Sequence, residues 1–203
     1  MTKIKFCGMM RAEDISAANA IRPDYIGFVF APKSRRAVTP EQAAALKAQL
    51  APGIRAVGVF VNAPPAQVAA LLDAGTIDIA QLHGQEDEAY LAALRAQTDK
   101  PILQAFRVDT AVDLQRAAAS TADGLLLDSG TGGTGMAFDW TLLRDFGRPY
   151  FLAGGLSAET VHEAIQKYHP YAVDVSSGIE TDGKKDAKKM AAFAAAVRKE
   201  EER

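Results

Sequence analysis

The stretch PYFLAGGLSAETVHEAIQKYHPYAVDVSSG, Pro149–Gly178, contains the unit from which the fold can be read. Its ends, PYFLAGG and YAVDVSSG, are short apolar runs closed by glycine, and SAETVHEAIQK between them has helical spacing. Apolar strands alternating with helices belong to a parallel sheet whose faces are covered by those helices. The same unit recurs upstream: KIKFCG (3–8), DYIGFVF (24–30), IRAVGVFV (54–61), IDIAQLHG (77–84), PILQAF (101–106) and DGLLLD (123–128) complete a set of eight strand-like runs. Eight helical patterns alternate with them, from AEDISAANAI (12–21), through FDWTLLRDF (138–146), to KDAKKMAAFAAAVRKEE (185–201). Eight units in 203 residues leave about 25 residues each, near the minimum for a closed (β/α)8 barrel. A doubly wound open sheet is the alternative. It is disfavoured because no G-x-G-x-x-G follows the first strand and no second domain accompanies the eight repeats. The expectation is one α/β barrel domain, residues 1–203.

Composition narrows the function. With 23 Lys and Arg against 25 Asp and Glu, the formal net charge is -2, and the basic residues are scattered apart from DGKKDAKK (182–189). This gives no nucleic-acid footprint, and the lysine run reads as a solvated face of the last helix. A single cysteine cannot form an intramolecular disulfide. Arg11, Glu13 and Asp14 interrupt the N-terminal apolar stretch before it reaches signal-peptide length, and no run approaches the roughly 18 apolar residues of a membrane span. A cytoplasmic protein, with no membrane partner, is expected.

In a (β/α)8 barrel the functional groups sit where strands end and loops begin. Those ends carry Cys7, the PKSRR loop, QLHG with His83, Asp128, Gly154 and Gly155, and DVSSG with Asp174, Ser176, Ser177 and Gly178. Two glycine turns on the last two strands favour a phosphate, because glycine bares backbone N–H donors and a helix N-terminus adds a favourable dipole. Asp128 follows three leucines. A water-poor setting suits it to act as an acid, although capping the next turn is an equal alternative on sequence alone. Glycine-rich SGTGGTG (129–135) reads as a loop able to fold over a ligand, or as a linker. Either Arg35 or Arg36 can grip a carboxylate, and spacing does not choose between them. His83 is as well suited to packing as to ligand contact, while His162 and His169 look structural. No cluster has metal-ligand spacing, and no Walker or nucleophile-elbow pattern is present.

Taken together, KIKFCGMM, GFVFAPKSRR, VGVFVN, QLHG, LLLDS with GGTGMAFDW, LAGGLS and AVDVSSGIE with GKKD resemble the phosphoribosylanthranilate isomerase family of tryptophan biosynthesis, over essentially the whole chain. The resemblance implies a (β/α)8 TIM barrel. It also implies an aldose–ketose isomerase that carries out the Amadori rearrangement of N-(5-phosphoribosyl)anthranilate without a cofactor. Carried onto this sequence, the family's general base falls on Cys7 and its general acid on Asp128. The substrate carboxylate falls on Arg36, and the phosphate on the turns with Gly154, Gly155, Ser177 and Gly178. His83 and Asp174 match positions near the substrate. A small-molecule substrate and a monomer or homodimer are implied. One departure is Met10, where the family usually has Thr or Ser. The helix dipole after Gly8 and the substrate-binding cations are the features expected to lower the thiol pKa of Cys7. Other phosphate-binding barrels are less well matched. The related isomerase of histidine biosynthesis uses two aspartates, and indole-glycerol-phosphate synthase needs lysine and glutamate at strand ends that this chain lacks. A barrel that binds a sugar phosphate without turning it over is the non-enzymatic alternative.

Overall fold

The computed structural model describes residues 1–128, 143 and 146–199. Eight parallel strands close into a barrel in chain order: β1 (Lys3–Cys7), β2 (Tyr25–Val29), β3 (Arg55–Phe60), β4 (Ile79–Leu82), β5 (Ile102–Arg107), β6 (Gly124–Asp128), β7 (Tyr150–Ala153) and β8 (Ala172–Val175). Closure comes from β8 pairing with β1, Lys3 opposite Ala172 and Lys5 opposite Asp174. Around it run α1 (Ala12–Ile21), α2 (Pro40–Lys47), α3 (Pro65–Asp73), α4 (Glu88–Arg95), α5 (Ala111–Ala119), α6 (Val161–Tyr168) and α7 (Ala187–Arg198). The expected loop at 129–135 lies outside the described residues, as does nearly all of the helix expected at 138–146.

Local chemistry sets the helix starts. Thr39 accepts a hydrogen bond from the Gln42 amide at 3.2 Å, the Gln42 side chain accepts from the Thr39 amide at 2.9 Å, and Pro40 occupies the first turn of α2. Asp186 caps α7 by accepting from the amides of Lys188 and Lys189.

Alternation along the strands divides the core into two layers. Tyr25, Val57, Ile79, Leu103, Leu126, Phe151 and Ala172 fill the barrel interior. Their sequence neighbours, such as Ile26, Ala56, Ala80, Ile102, Leu125, Leu152 and Val173, face outward into the cluster shared with the helices. In β1 the same alternation turns Ile4 and Phe6 toward the helices, so Lys5 and Cys7 point inward. The interior is therefore apolar below and polar toward the strand C-termini.

The lysine-rich run departs from its expected role as a helix face. Glu180–Thr181 and Lys184–Lys185 form a two-stranded antiparallel hairpin, β9 and β10, and α7 begins only after it. Lys185 is buried, because its Nζ donates to Glu180 at 2.7 Å and to the Ser176 carbonyl at 2.9 Å. Among the described residues no helix is long and apolar enough to cross a membrane.

Candidate active site

A cavity of about 470 Å³ opens at the C-terminal ends of the strands, a volume suited to a small-molecule ligand. All nine expected site residues line it: Cys7 ending β1, Arg36 in the loop after β2, His83 just past β4, Asp128 ending β6, Gly154 and Gly155 after β7, Asp174 in β8, and Ser177 and Gly178 after β8. Met10 is not among its lining residues. Its amide donates to Asp14 at 2.9 Å and its side chain packs against the helix-facing core.

The cavity has a charged floor. Lys5, fully buried, donates from Nζ to Asp174 Oδ1 at 2.9 Å across the β1–β8 register. Burial works to lower the Lys5 pKa, yet the Asp174 carboxylate and Cys7 together hold it above the usual lysine value. Above this pair sits Cys7. Burial pushes its thiol above the usual value, with Lys5 and Lys185 pulling in the opposite direction. The expected lowering of the thiol is therefore reversed, because desolvation of the thiolate, together with the Asp174 carboxylate, outweighs the nearby cations.

The two arginines separate clearly. Arg36 is largely buried and lines the cavity, whereas the Arg35 side chain is 63% exposed and does not. Both reach Glu180: Arg36 through Nε at 2.6 Å and Nη2 at 2.9 Å, Arg35 through Nη2 at 2.9 Å. Burial alone would raise the Glu180 carboxyl, but hydrogen bonds from Arg36 and Lys185 hold it at about 2.

On the opposite side, His83 Nε2 lies 3.5 Å from Asp128 Oδ2, and His83 Nδ1 lies 3.1 Å from Gln81 Nε2. The Gln81 carbonyl oxygen is buried without a hydrogen-bond partner among the described residues. At the glycine turns, Gly154 and Gly155 take φ of 97° and 65°, which glycine adopts without strain. Gly178 packs so closely on the β7 turn that a Cβ there would lie 2.0 Å from the Leu156 carbonyl oxygen. This contact brings the two turns together. The Ser176 hydroxyl is committed to structure, donating to the Cys7 carbonyl at 3.1 Å, which leaves Ser177 and the backbone as the polar groups of that turn.

Lys5, Gln81, Glu180 and Lys185 did not emerge from the sequence reading. Lys5 shares the strand parity of Cys7, and Gln81 that of His83, a signal that places both inside the barrel. Nothing in the local sequence joins Glu180 to Arg36. Among the described residues no group of three or more His, Cys, Asp or Glu could hold a metal ion.

Comparisons with known proteins bear on this site. A family model described as N-(5'-phosphoribosyl)anthranilate (PRA) isomerase matches residues 4–196. The curated N-(5'-phosphoribosyl)anthranilate isomerase of Endomicrobium trichonymphae is 44% identical over 194 residues, covering 94% of this chain and 95% of that one. The crystal structure of phosphoribosyl anthranilate isomerase from Thermotoga maritima superposes with a TM-score of 0.89 at 35% identity, covering 98% of this chain and all of that one. A further solved phosphoribosyl anthranilate isomerase, in complex with reduced 1-(o-carboxyphenylamino)-1-deoxyribulose 5-phosphate, is 34% identical with a TM-score of 0.87, covering 98% of this chain and 100% of that one.

Proposed function

The chain belongs to the N-(5'-phosphoribosyl)anthranilate isomerase family and is an isomerase of that substrate in tryptophan biosynthesis, and we propose that Cys7 and Asp128 perform the reaction as general base and general acid. Asp128 protonates the furanose ring oxygen, and the C1–O bond breaks as the anthranilate nitrogen donates its lone pair to form a Schiff base. The Cys7 thiolate then removes the C2 proton, and the electron pair flows back to nitrogen to give an enolamine. Protonation at C1 and loss of the C2 hydroxyl proton yield the ketone. The nitrogen lone pair supplies the electron push.

Arg36 binds the ring carboxylate, and the turns at Gly154, Gly155, Ser177 and Gly178 bind the phosphate through backbone donors. His83 and Asp174 contact the sugar region, His83 also standing beside the acid. Because the Cys7 thiol stands above the usual value, only a small fraction is thiolate at neutral pH, and Lys5 and Lys185 favour that fraction. The pH–rate profile is bell-shaped, with limbs that belong to the coupled pair.

The observation that carries this reading is the convergence of Cys7, Asp128 and Arg36, from two strand ends and the loop after β2, on one cavity walled on one side by glycine turns. The assay follows loss of the substrate's anthranilate fluorescence. Cys7→Ser and Asp128→Asn should each lower kcat by about 10²- to 10⁴-fold with little change in KM. Near-normal turnover by either variant removes that residue from the mechanism. Binding of a product analogue by a wild-type protein that never consumes substrate would favour a non-enzymatic sugar-phosphate binder.

A further inference from the structure

We propose that Glu180 is a positioning residue for substrate recognition: it occupies one edge of the Arg36 guanidinium and thereby turns the other edge toward the cavity. The inference rests on the reading of Arg36 as the carboxylate-binding group, and deepens it.

A guanidinium carries five N–H donors in a rigid plane, which offers a side edge through Nε and one Nη, and an end edge through the two Nη atoms. Glu180 takes the side edge, with Nε at 2.6 Å and Nη2 at 2.9 Å. That geometry leaves the end edge for a second carboxylate. The rest of the Arg36 side chain is fixed by close packing. Gly8, at φ 80°, has no Cβ, and one built there would lie 2.5 Å from Arg36 Cδ, so the arginine stem passes directly over the turn after β1.

Glu180 is itself held firmly enough to serve as a fixed point. It is 8% exposed and sits at the foot of the β9–β10 hairpin, where Lys185 donates to the same Oε1 that accepts from Arg36 Nε. Lys189 donates to its backbone carbonyl at 2.7 Å, tying the hairpin to α7. Arg35, Arg36 and Lys185 together place three cations on one carboxylate, so the cluster keeps an excess of positive charge beside a cavity meant for an anion. Glu180 thus orients Arg36 without neutralising the wall.

The experiment uses the full chain and two synthetic ligands: a reduced product analogue, and the same compound with phenyl in place of carboxyphenyl. Inhibition constants are measured for wild type, Arg36→Ala, Glu180→Gln and the double variant. Arg36→Ala is expected to weaken only the carboxylated ligand, by ten- to a hundredfold on the order of one lost charged hydrogen-bond pair. Glu180→Gln should weaken the same ligand by about tenfold and raise KM more than it lowers kcat. In the Arg36→Ala background it should add nothing.

Equal weakening of both ligands by Glu180→Gln, or an effect that persists without Arg36, overturns the positioning role and leaves the Arg36 reading standing. Tighter binding by Glu180→Gln also overturns it, since that result means Glu180 competes with the substrate for Arg36. Failure of Arg36→Ala to discriminate between the ligands overturns the Arg36 reading itself, and the proposal with it. Should Glu180→Gln fold poorly, Glu180→Asp keeps the charge for Lys185, shortens the reach to Arg36, and is read by the same criteria.

Discussion

One wall of the cavity, at Gly154, Gly155 and Gly178, is built from backbone, while the wall that carries Asp174 and Arg36 is backed by buried charge at Lys5, Glu180 and Lys185. Both walls suit anions, by different means. The glycine wall offers N–H donors at no desolvation cost to a side chain, since it has none. The charged wall must keep every ion paired in a poorly solvated place, where an unpaired charge costs several kcal/mol. The first is tolerant of its surroundings but intolerant of a Cβ at Gly178. The second accepts crowding but fails as a unit when one partner is removed.

The largest expected effect breaks the charged side. Lys5→Met leaves Asp174 buried without its cation, and should cost about 3–5 kcal/mol in urea denaturation. Lys3→Met, at a half-exposed pair with Asp24, should cost under about 1 kcal/mol. Equal costs at the two sites would mean that Asp174 finds another partner and that the floor is not a unit. The same Lys5→Met variant should move the pH profile of Cys7 alkylation further to the alkaline side, because a cation that favours the thiolate is gone.

The next effect falls on the backbone wall. Gly178→Ala places a methyl group against the Leu156 carbonyl and forces the two turns apart. It should cost roughly 1–3 kcal/mol of stability and raise the inhibition constant of inorganic phosphate, while leaving discrimination for the ring carboxylate intact. A crystal structure with both turns unmoved would contradict this. Smaller still is Gly155→Ala, where a Cβ meets nothing within 4 Å and only the φ of 65° is strained. About 1 kcal/mol is expected from thermal denaturation, and a cost equal to that of Gly178→Ala would show that conformation, not contact, governs this wall.

The last effect is a pH dependence. Glu180 holds its proton with a pKa of about 2 when folded, below the roughly 4.3 of an unfolded glutamate. Its contribution is fully present above the unfolded value and is lost as pH falls through the folded one. The stability gap between wild type and Glu180→Gln should therefore narrow between about pH 5 and pH 2. A gap that stays constant over that range assigns the low pKa to some other state of the cluster.

The same contrast explains how much of the site was legible. Gly154, Gly155 and Gly178 announce themselves, because a glycine at a strand end has few reasons to be there other than a turn or a close approach. Cys7, Asp128 and His83 were legible by position, since strand ends in this pattern converge. Lys5 carried the signal of strand parity, which the alternation of KIKFC holds in plain form. Glu180 and Lys185 carried none: in IETDGKKD a hairpin two residues long on each side leaves no periodicity, and a buried lysine looks the same as a solvated one.

What the sequence determined by itself was the alternation of eight strands with helices, hence a closed barrel, and the set of residues delivered to one rim. Period and turn chemistry are local, and eight repeats leave little else to build. Only the tertiary structure decided which charges meet. The placement of Arg36 in the cavity wall with Arg35 outside it, the burial of Lys185, and the upward shift of the Cys7 thiol all depend on residues brought together across roughly the whole length of the chain, from β1 to β10. Ion pairing and desolvation are properties of distance in space, and the sequence states distance only along the chain.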